Sequence, residues 1–327
     1  MPGSHADNTA IMALSIFVGA YLDEAARALL RRSLTSDHVC FGDPLKRNEA
    51  DRSAFLEAEV VFGNVPAAWL KDASRLRWMQ LESIGFEYYQ HLDGKLDGFK
   101  ISNLRGMFDR PAAETAFAGL LSLGRGLLPL LKAQEKSQWV ELEVRPDTWL
   151  LHGRRVVVLG LGSIGRKMKS LLEAFSCEVK TFAKTNPQAD LHSIQELKTA
   201  FSQADIVVSC LPKTPQTIRL ISRDLLECLS AHAVFVSIGR GAVVDEDALV
   251  ELLNQRRFRG AVIDVTHAEP LPSDHPLWRC PNTILTQHTG GGYGEELIDK
   301  ARVFLGNLEC YRRGEPPGNL VDLKRGY

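Results

Sequence analysis

The feature that most constrains this chain is a six-residue turn, Gly160-Leu161-Gly162-Ser163-Ile164-Gly165, placed between two unlike patterns. Ahead of it runs Val156-Val157-Val158-Leu159, a continuous apolar stretch that reads as a buried strand. Behind it, Ile164, Met168, Leu171, Leu172 and Phe175 recur at helical spacing, and residues 178–182 form a second apolar strand pattern. A GxGxxG run alone is a weak signal. In the order strand, turn, helix, strand it is the phosphate-binding corner of a dinucleotide fold. Gly160 permits the tight turn, Gly162 lets backbone approach a pyrophosphate, and Gly165 lets helix pack on strand. Ser163 and Ile164 open the helix, whose first N–H groups and positive dipole end face the phosphates.

The residue that ends the second strand selects the cofactor. An NAD site places Asp or Glu there, about 20 residues beyond the glycines, against the ribose hydroxyls. In this chain the place falls at Ala183, followed by Lys184 and Thr185. A carboxylate would repel a 2′-phosphate, whereas a lysine and a hydroxyl attract one. NADP(H) is therefore favoured, with NAD(H) as the alternative.

The rest of the chain supports two α/β units. Its 327 residues are too many for one comfortable core, at roughly 150 per domain. Residues 14–18, 39–41, 60–62 and 76–81 read as short strands, and residues 23–34 as a helix with Ala26, Leu29, Leu30 and Leu34 on one face. A long helix is expected after Arg110-Pro111, running to Leu128. Residues 134–150 read as an irregular connector anchored by Trp139 and Trp149. After the glycine turn, residues 206–210, 234–238, 261–265 and 283–286 are further buried strands, and residues 295–312 a closing helix.

Charge and cysteine usage narrow the function classes. Lys and Arg number 39 against 40 Asp and Glu, a net charge of −1, which argues against an electrostatic nucleic-acid binder. The six cysteines show neither CxxC spacing nor a histidine cluster, so no metal site or disulfide framework is expected, and most are expected to be small buried hydrophobes. Residues 11–20 are apolar but too short for a membrane span and lack a basic flank. A cytoplasmic protein without a membrane partner is the expectation. Met12 is a candidate natural start, with residues 1–11 as an extension.

Beyond the glycine turn, this sequence resembles the D-isomer-specific 2-hydroxyacid dehydrogenases over nearly its whole length. The resemblance rests on Leu211-Pro212-Lys213-Thr214-Pro215-Gln216-Thr217, Ser237-Ile238-Gly239-Arg240-Gly241 through Asp245, Ile263-Asp264-Val265, Glu269-Pro270-Leu271-Pro272 and Gln287-His288-Thr289-Gly290-Gly291, in the family's order. The loop Phe182-Ala183-Lys184-Thr185 and the ending Arg325-Gly326-Tyr327 look most like the glyoxylate and hydroxypyruvate reductase branch.

That resemblance implies an α/β protein of two Rossmann-like or flavodoxin-like domains with parallel sheets. A dinucleotide-binding Rossmann domain, residues 110–292, would be inserted in a discontinuous flavodoxin-like substrate domain, residues 1–109 and 293–327. It also implies a homodimer. Leu211, Pro212, Thr217, Ile238, Gly239 and Gly290 match cofactor-lining positions. Asp264 matches the acceptor for the nicotinamide carboxamide.

The chemistry implied is hydride transfer from NAD(P)H to a small 2-keto acid, giving the D-2-hydroxy acid. Arg240 has a planar, always charged fork suited to a carboxylate and a ketone oxygen together. His288 is the expected general acid. Glu269 is its expected partner, fixing the ring and favouring its protonated form. Arg240 and His288 also match positions that border the cofactor. The amides of Ile84 and Gly85, in the loop Ser83-Ile84-Gly85, match the family's carboxylate-binding loop. Formate dehydrogenases of this fold carry Gln where Glu269 stands, so the Glu speaks for acid/base chemistry. The residue before the histidine is usually Pro, and here it is Gln287. The alternatives are a broad-range NAD-linked D-2-hydroxyacid dehydrogenase and a dinucleotide-sensing corepressor that keeps the fold as a binding module.

Overall fold

The structure, a computed structural model, describes residues 13–92 and 98–323. The extension at residues 1–11, the candidate start Met12 and the ending at residues 325–327 lie outside the described residues. The chain divides into two compact units: one runs through Arg105 and resumes at Tyr293, the other is Gly106–Gly292.

The discontinuous unit holds five parallel strands: β1 (Ser15–Val18), β2 (His38–Phe41), β3 (Val60–Phe62), β4 (Trp78–Gln80) and β5 (Lys100–Ser102). Their order is β2-β1-β3-β4-β5, the flavodoxin-like order. Alternation sends Phe17, Val61 and Met79 to one face and Ile16, Val18, Val60, Phe62 and Trp78 to the other, all buried. The C-terminal helix Glu296–Arg312 covers the second face. Its Phe304 stacks on Phe62 with centroids 4.6 Å apart and on Trp78 at 5.7 Å. This explains why the chain returns: without that helix, a row of large apolar side chains would face water. Helix Glu24–Ser33 lies against the same core and starts at Asp23, whose Oδ1 accepts the Ala26 N–H.

The inserted unit holds six parallel strands: β6 (Arg155–Leu159), β7 (Glu178–Phe182), β8 (Ile206–Ser209), β9 (Val234–Ser237), β10 (Gly260–Ile263) and β11 (Thr283–Leu285). Their order is β11-β10-β9-β8-β6-β7, so the chain reverses direction across the sheet between β6 and β8. Ligands of open α/β sheets bind outside the strand ends at such a switch point. Helices Asp109–Gly124 and Ser163–Ala174 cover one face, and helices Ile194–Gln203 and Glu246–Asn254 the other.

Several expectations are corrected. The helix after Arg110 begins at Asp109 and stops at Gly124, not Leu128. The Trp149 N–H donates to the Gly124 carbonyl, Gly126 takes φ +65°, and the next helix, Leu127–Glu135, leaves at 74°. The supposed connector thus contains helix. Of its two tryptophans only Trp149 is an anchor, because Trp139 is 89% exposed. Phe175 falls just past its helix, half-exposed, with its ring edge against Phe117.

All six cysteines are free, but only Cys177 and Cys280 are fully buried, so they are not mostly core residues. Among the described residues no single helix is long and apolar enough to cross a membrane.

Candidate active site

The glycine turn behaves as its three positions require. Gly160 has φ +95°, a conformation costly for any side chain. A Cβ on Gly165 would lie 1.9 Å from the Gly160 carbonyl oxygen, so the helix approaches the strand as only glycine allows. A Cβ on Gly162 would meet nothing within 4 Å, leaving open space above the backbone at the expected pyrophosphate position. Gly162 caps the helix Ser163–Ala174, and among the described residues no side chain caps that first turn, so its N–H groups suit an anion. These residues fit a dinucleotide.

At the end of β7 the chain folds back, and the Ala183 N–H donates to the Leu191 carbonyl. Lys184 and Thr185 are exposed in the bend that follows. Sequence reading missed two neighbours. His192 donates from Nδ1 to the Ala183 carbonyl at 2.8 Å. The Asp190 carboxylate accepts from the Thr181 N–H at 2.7 Å and the Thr181 hydroxyl at 2.8 Å. Burial pushes Asp190 up, but those hydrogen bonds outweigh it and its pKa lies below the ordinary value. The one carboxylate of this fold-back is thus committed to β7. Neither neighbour carries a sequence signal, since both lie beyond the strand end where cofactor contacts are sought.

After β8, Leu211 and Pro212 start a loop closed by Thr217, whose hydroxyl donates to the Pro212 carbonyl at 2.6 Å and accepts the Thr214 N–H at 2.8 Å. Ile238 continues β9, its N–H donating to the Ser209 carbonyl. A Cβ on Gly239 would sit 2.4 Å from the Leu211 oxygen, and one on Gly241 2.0 Å from the Thr266 oxygen. The two glycines let backbone thread between those segments, which fixes Arg240 just beyond the end of β9. Arg240 is half-buried, and its Nη1 donates to the Gly239 carbonyl at 2.9 Å.

Asp264, which follows β10, is 5% exposed and ties the next loop together. Its Oδ1 accepts the Thr286 hydroxyl at 2.5 Å and the Gly290 N–H at 3.0 Å, and its carbonyl accepts the His288 N–H at 2.6 Å. Gln287 and His288 both take positive φ, +51° and +55°. Thus Asp264 holds the loop after β11 on both sides of His288, at Thr286 and at Gly290.

His288 Nδ1 lies 2.6 Å from Glu269 Oε2. A carboxylate only accepts, so Nδ1 carries the proton in this bond and Nε2 is the nitrogen left for chemistry. Glu269 Oε1 accepts the Thr266 N–H at 3.0 Å, so both carboxylate oxygens are engaged. Its loop is braced in turn by Glu246, which accepts the His267 N–H at 2.8 Å and lies 3.5 Å from His275 Nε2. Thr266 and Glu246 were not legible in sequence, because a backbone donor and a helix-opening acid have no distinctive spacing. Among the described residues no cluster of three or more His, Cys, Asp or Glu forms a metal site.

Ile84 and Gly85 belong to the other unit, in the bend after β4. Ser83, Ile84 and Gly85 each engage their carbonyl oxygen: with the Leu104 N–H, with Asn103 Nδ2 and with the Ser83 hydroxyl, respectively.

A parallel sheet with a glycine turn at its switch point, and a carboxylate–imidazole pair beyond neighbouring strand ends, defines a nicotinamide-dinucleotide oxidoreductase. The model of the D-isomer-specific 2-hydroxyacid dehydrogenase NAD-binding domain matches residues 117–290. The chain belongs to this family of NAD(P)-dependent enzymes. It is 28% identical to glyoxylate/hydroxypyruvate reductase A of Arabidopsis thaliana over 276 residues, 81% of this chain and 87% of that protein. It is 29% identical to glyoxylate/hydroxypyruvate reductase B of Pectobacterium carotovorum over 283 residues, 83% of this chain and 88% of that protein. A solved D-isomer-specific 2-hydroxyacid dehydrogenase family protein from Aeromonas salmonicida superposes with a TM-score of 0.81 at 28% identity, covering 94% of this chain and 98% of that one.

Proposed function

We propose that this enzyme reduces a small 2-keto acid of the glyoxylate or hydroxypyruvate type to the D-2-hydroxy acid with NADPH. The observation that carries the proposal is the 2.6 Å Glu269–His288 pair, a charge-assisted contact that presents an imidazole as proton donor. Reduced nicotinamide, when bound, supplies the hydride. As negative charge grows on the ketone oxygen, His288 delivers the proton from Nε2, and Glu269 stabilises the imidazolium that holds it. Arg240 binds the carboxylate and polarises the ketone. The amides of Ile84 and Gly85 hold the substrate carboxylate, and Asp264 accepts from the cofactor carboxamide.

The fold-back after β7 supports NADPH over NADH. It offers Lys184 and Thr185 to a 2′-phosphate, and its one acid, Asp190, is bound to Thr181. The names of the curated relatives support the substrate class.

The protein is also proposed to act as a homodimer. Leu127, Leu130, Leu131, Trp139 and Leu142, close in sequence within the inserted unit, are each at least 39% exposed, and contiguous exposed apolar surface marks an interface. A second copy with the same patch is the natural cover for it.

Steady-state assays with glyoxylate, hydroxypyruvate and pyruvate, each with NADPH and NADH, test the reading. Turnover with NADPH and a two-carbon or three-carbon keto acid is expected. Dinucleotide binding without turnover on any of them would favour the binding-module alternative instead.

A further inference from the structure

We propose that Asn103 is a positioning residue for substrate, acting through the orientation of two peptide planes. The inference rests on the reading that Ile84 and Gly85 bind the keto acid's carboxylate.

A trans peptide unit is planar, with its C=O and N–H pointing in opposite directions. The N–H of Gly85 therefore points away from the side to which the Ile84 carbonyl is held. That carbonyl accepts from Asn103 Nδ2 at 2.9 Å. The Ser83 carbonyl, in the same plane as the Ile84 N–H, accepts the Leu104 N–H at 3.1 Å. Two consecutive planes are thus fixed from behind by the segment after β5, and their N–H groups project the other way. Among the described residues neither N–H has a protein acceptor.

The third carbonyl is held as well. Asn64 Nδ2 donates to the Ser83 hydroxyl at 3.1 Å, and that hydroxyl donates to the Gly85 carbonyl at 2.7 Å. The Ser83 proton is committed to this chain, so the hydroxyl serves the loop. Each carbonyl that receives a hydrogen bond polarises its own peptide unit and strengthens the N–H on the far side.

Asn103 is itself held rigid. It is 7% exposed, its Oδ1 accepts the Arg105 N–H at 3.1 Å, and its own N–H donates to the Asn319 carbonyl at 3.1 Å. An aspartate in its place keeps the shape and the Oδ1 contact. It also sets a carboxylate oxygen against the Ile84 carbonyl, which favours a peptide flip that turns the Gly85 N–H away from the substrate.

The test compares wild type, Asn103→Asp and Ser83→Ala, the latter a mild variant in case the aspartate does not fold. Three readouts are needed: keto-acid KM and kcat, inhibition by oxamate, and NADPH affinity by fluorescence titration. Ground state and transition state share the carboxylate contact. The expected result is a rise in keto-acid KM and oxamate Ki of about tenfold or more for Asn103→Asp, the order for losing a hydrogen bond to a charged group. Ser83→Ala should give a smaller rise in the same direction. In both, kcat at saturation and NADPH affinity should stay near wild type. An unchanged KM in both variants of an active enzyme would overturn the proposal. So would a parallel loss of kcat and NADPH affinity, the mark of general unfolding. Wild-type protein that binds NADPH but neither turns over nor binds oxamate would overturn the underlying carboxylate reading.

Discussion

Glu269 Oε2 and His288 Nδ1 lie 2.6 Å apart, and the other oxygen of Glu269 is held by the Thr266 N–H, so the carboxylate cannot swing off the ring without losing two bonds. This makes the pair a fixed donor assembly. His288→Ala should lower kcat by about a hundredfold to ten-thousandfold, with a small change in NADPH affinity. Glu269→Gln keeps the shape but removes the charge that stabilises the imidazolium, and should cost about tenfold to a hundredfold in kcat. Pre-steady-state reduction of glyoxylate at fixed pH measures both. A His288→Ala effect confined to KM would remove the histidine from the proton-transfer step.

Arg240 is fixed by glycines that no other residue can replace, which limits what else the position tolerates. Lysine keeps the charge and loses the fork. Arg240→Lys should lower kcat/KM for the keto acid by about a hundredfold, and Arg240→Ala by more, with NADPH affinity changed much less. Equal kinetics for lysine and arginine would mean that only a point charge is needed.

Lys184 stands in the fold-back that follows β7, where Ala183 leaves no carboxylate. Lys184→Ala should raise the KM for NADPH about tenfold and leave that for NADH within about twofold, since only the former carries a 2′-phosphate to pair. Parallel changes for both cofactors would place the lysine outside the 2′-phosphate contact.

What could be read in sequence followed from how local each demand is. The roles of Gly160, Gly162 and Gly165 depend on a few neighbouring residues, and the strand-turn-helix order exposes them. The β-branched runs marked buried parallel strands because both faces of such sheets are covered. The stop at Gly124 was hidden because Trp149, twenty-five positions on, supplies the N–H that ends the helix. Trp139 looked like an anchor because tryptophan is large and apolar, but exposure is set by what packs on it. Asn103 was hidden for the same reason as the stop at Gly124: its partner Ile84 is 19 residues away and contributes only a carbonyl.

Gln287 has φ +51°, a value a proline ring, fixed near −65°, cannot take. The residue that usually precedes the histidine in this family therefore does not fit this loop as folded. Gln287→Pro should destabilise the protein by about 1–3 kcal/mol and lower kcat by displacing His288 from Glu269. Gln287→Gly relieves the left-handed conformation and should hold or slightly raise the melting temperature. Differential scanning fluorimetry beside kcat separates the two effects. A proline variant with wild-type stability and turnover would show that the loop has a second, equally good conformation.

Asp245 gives the protein a pH-dependent contribution to stability with a definite sign. Its Oδ2 lies 2.7 Å from Arg219 Nη2, and its Oδ1 accepts the Ala248 N–H to cap the helix Glu246–Asn254. Burial alone would raise its pKa, but the Arg219 contact and the cap outweigh it and hold the carboxyl below the ordinary 3.8. A group depressed on folding stabilises the native state above its unfolded pKa and loses that stabilisation as pH falls through the folded value. Asp245→Asn keeps the cap acceptor and loses the charge. It should therefore be less stable than wild type at pH 7 by about 1 kcal/mol or less, because Arg219 is largely exposed. The difference should hold down to about pH 5 and close below 3.8, where the wild-type carboxyl protonates. Urea midpoints at several pH values measure it. A gap that widens on acidification would contradict the assignment of the ion pair to this carboxylate.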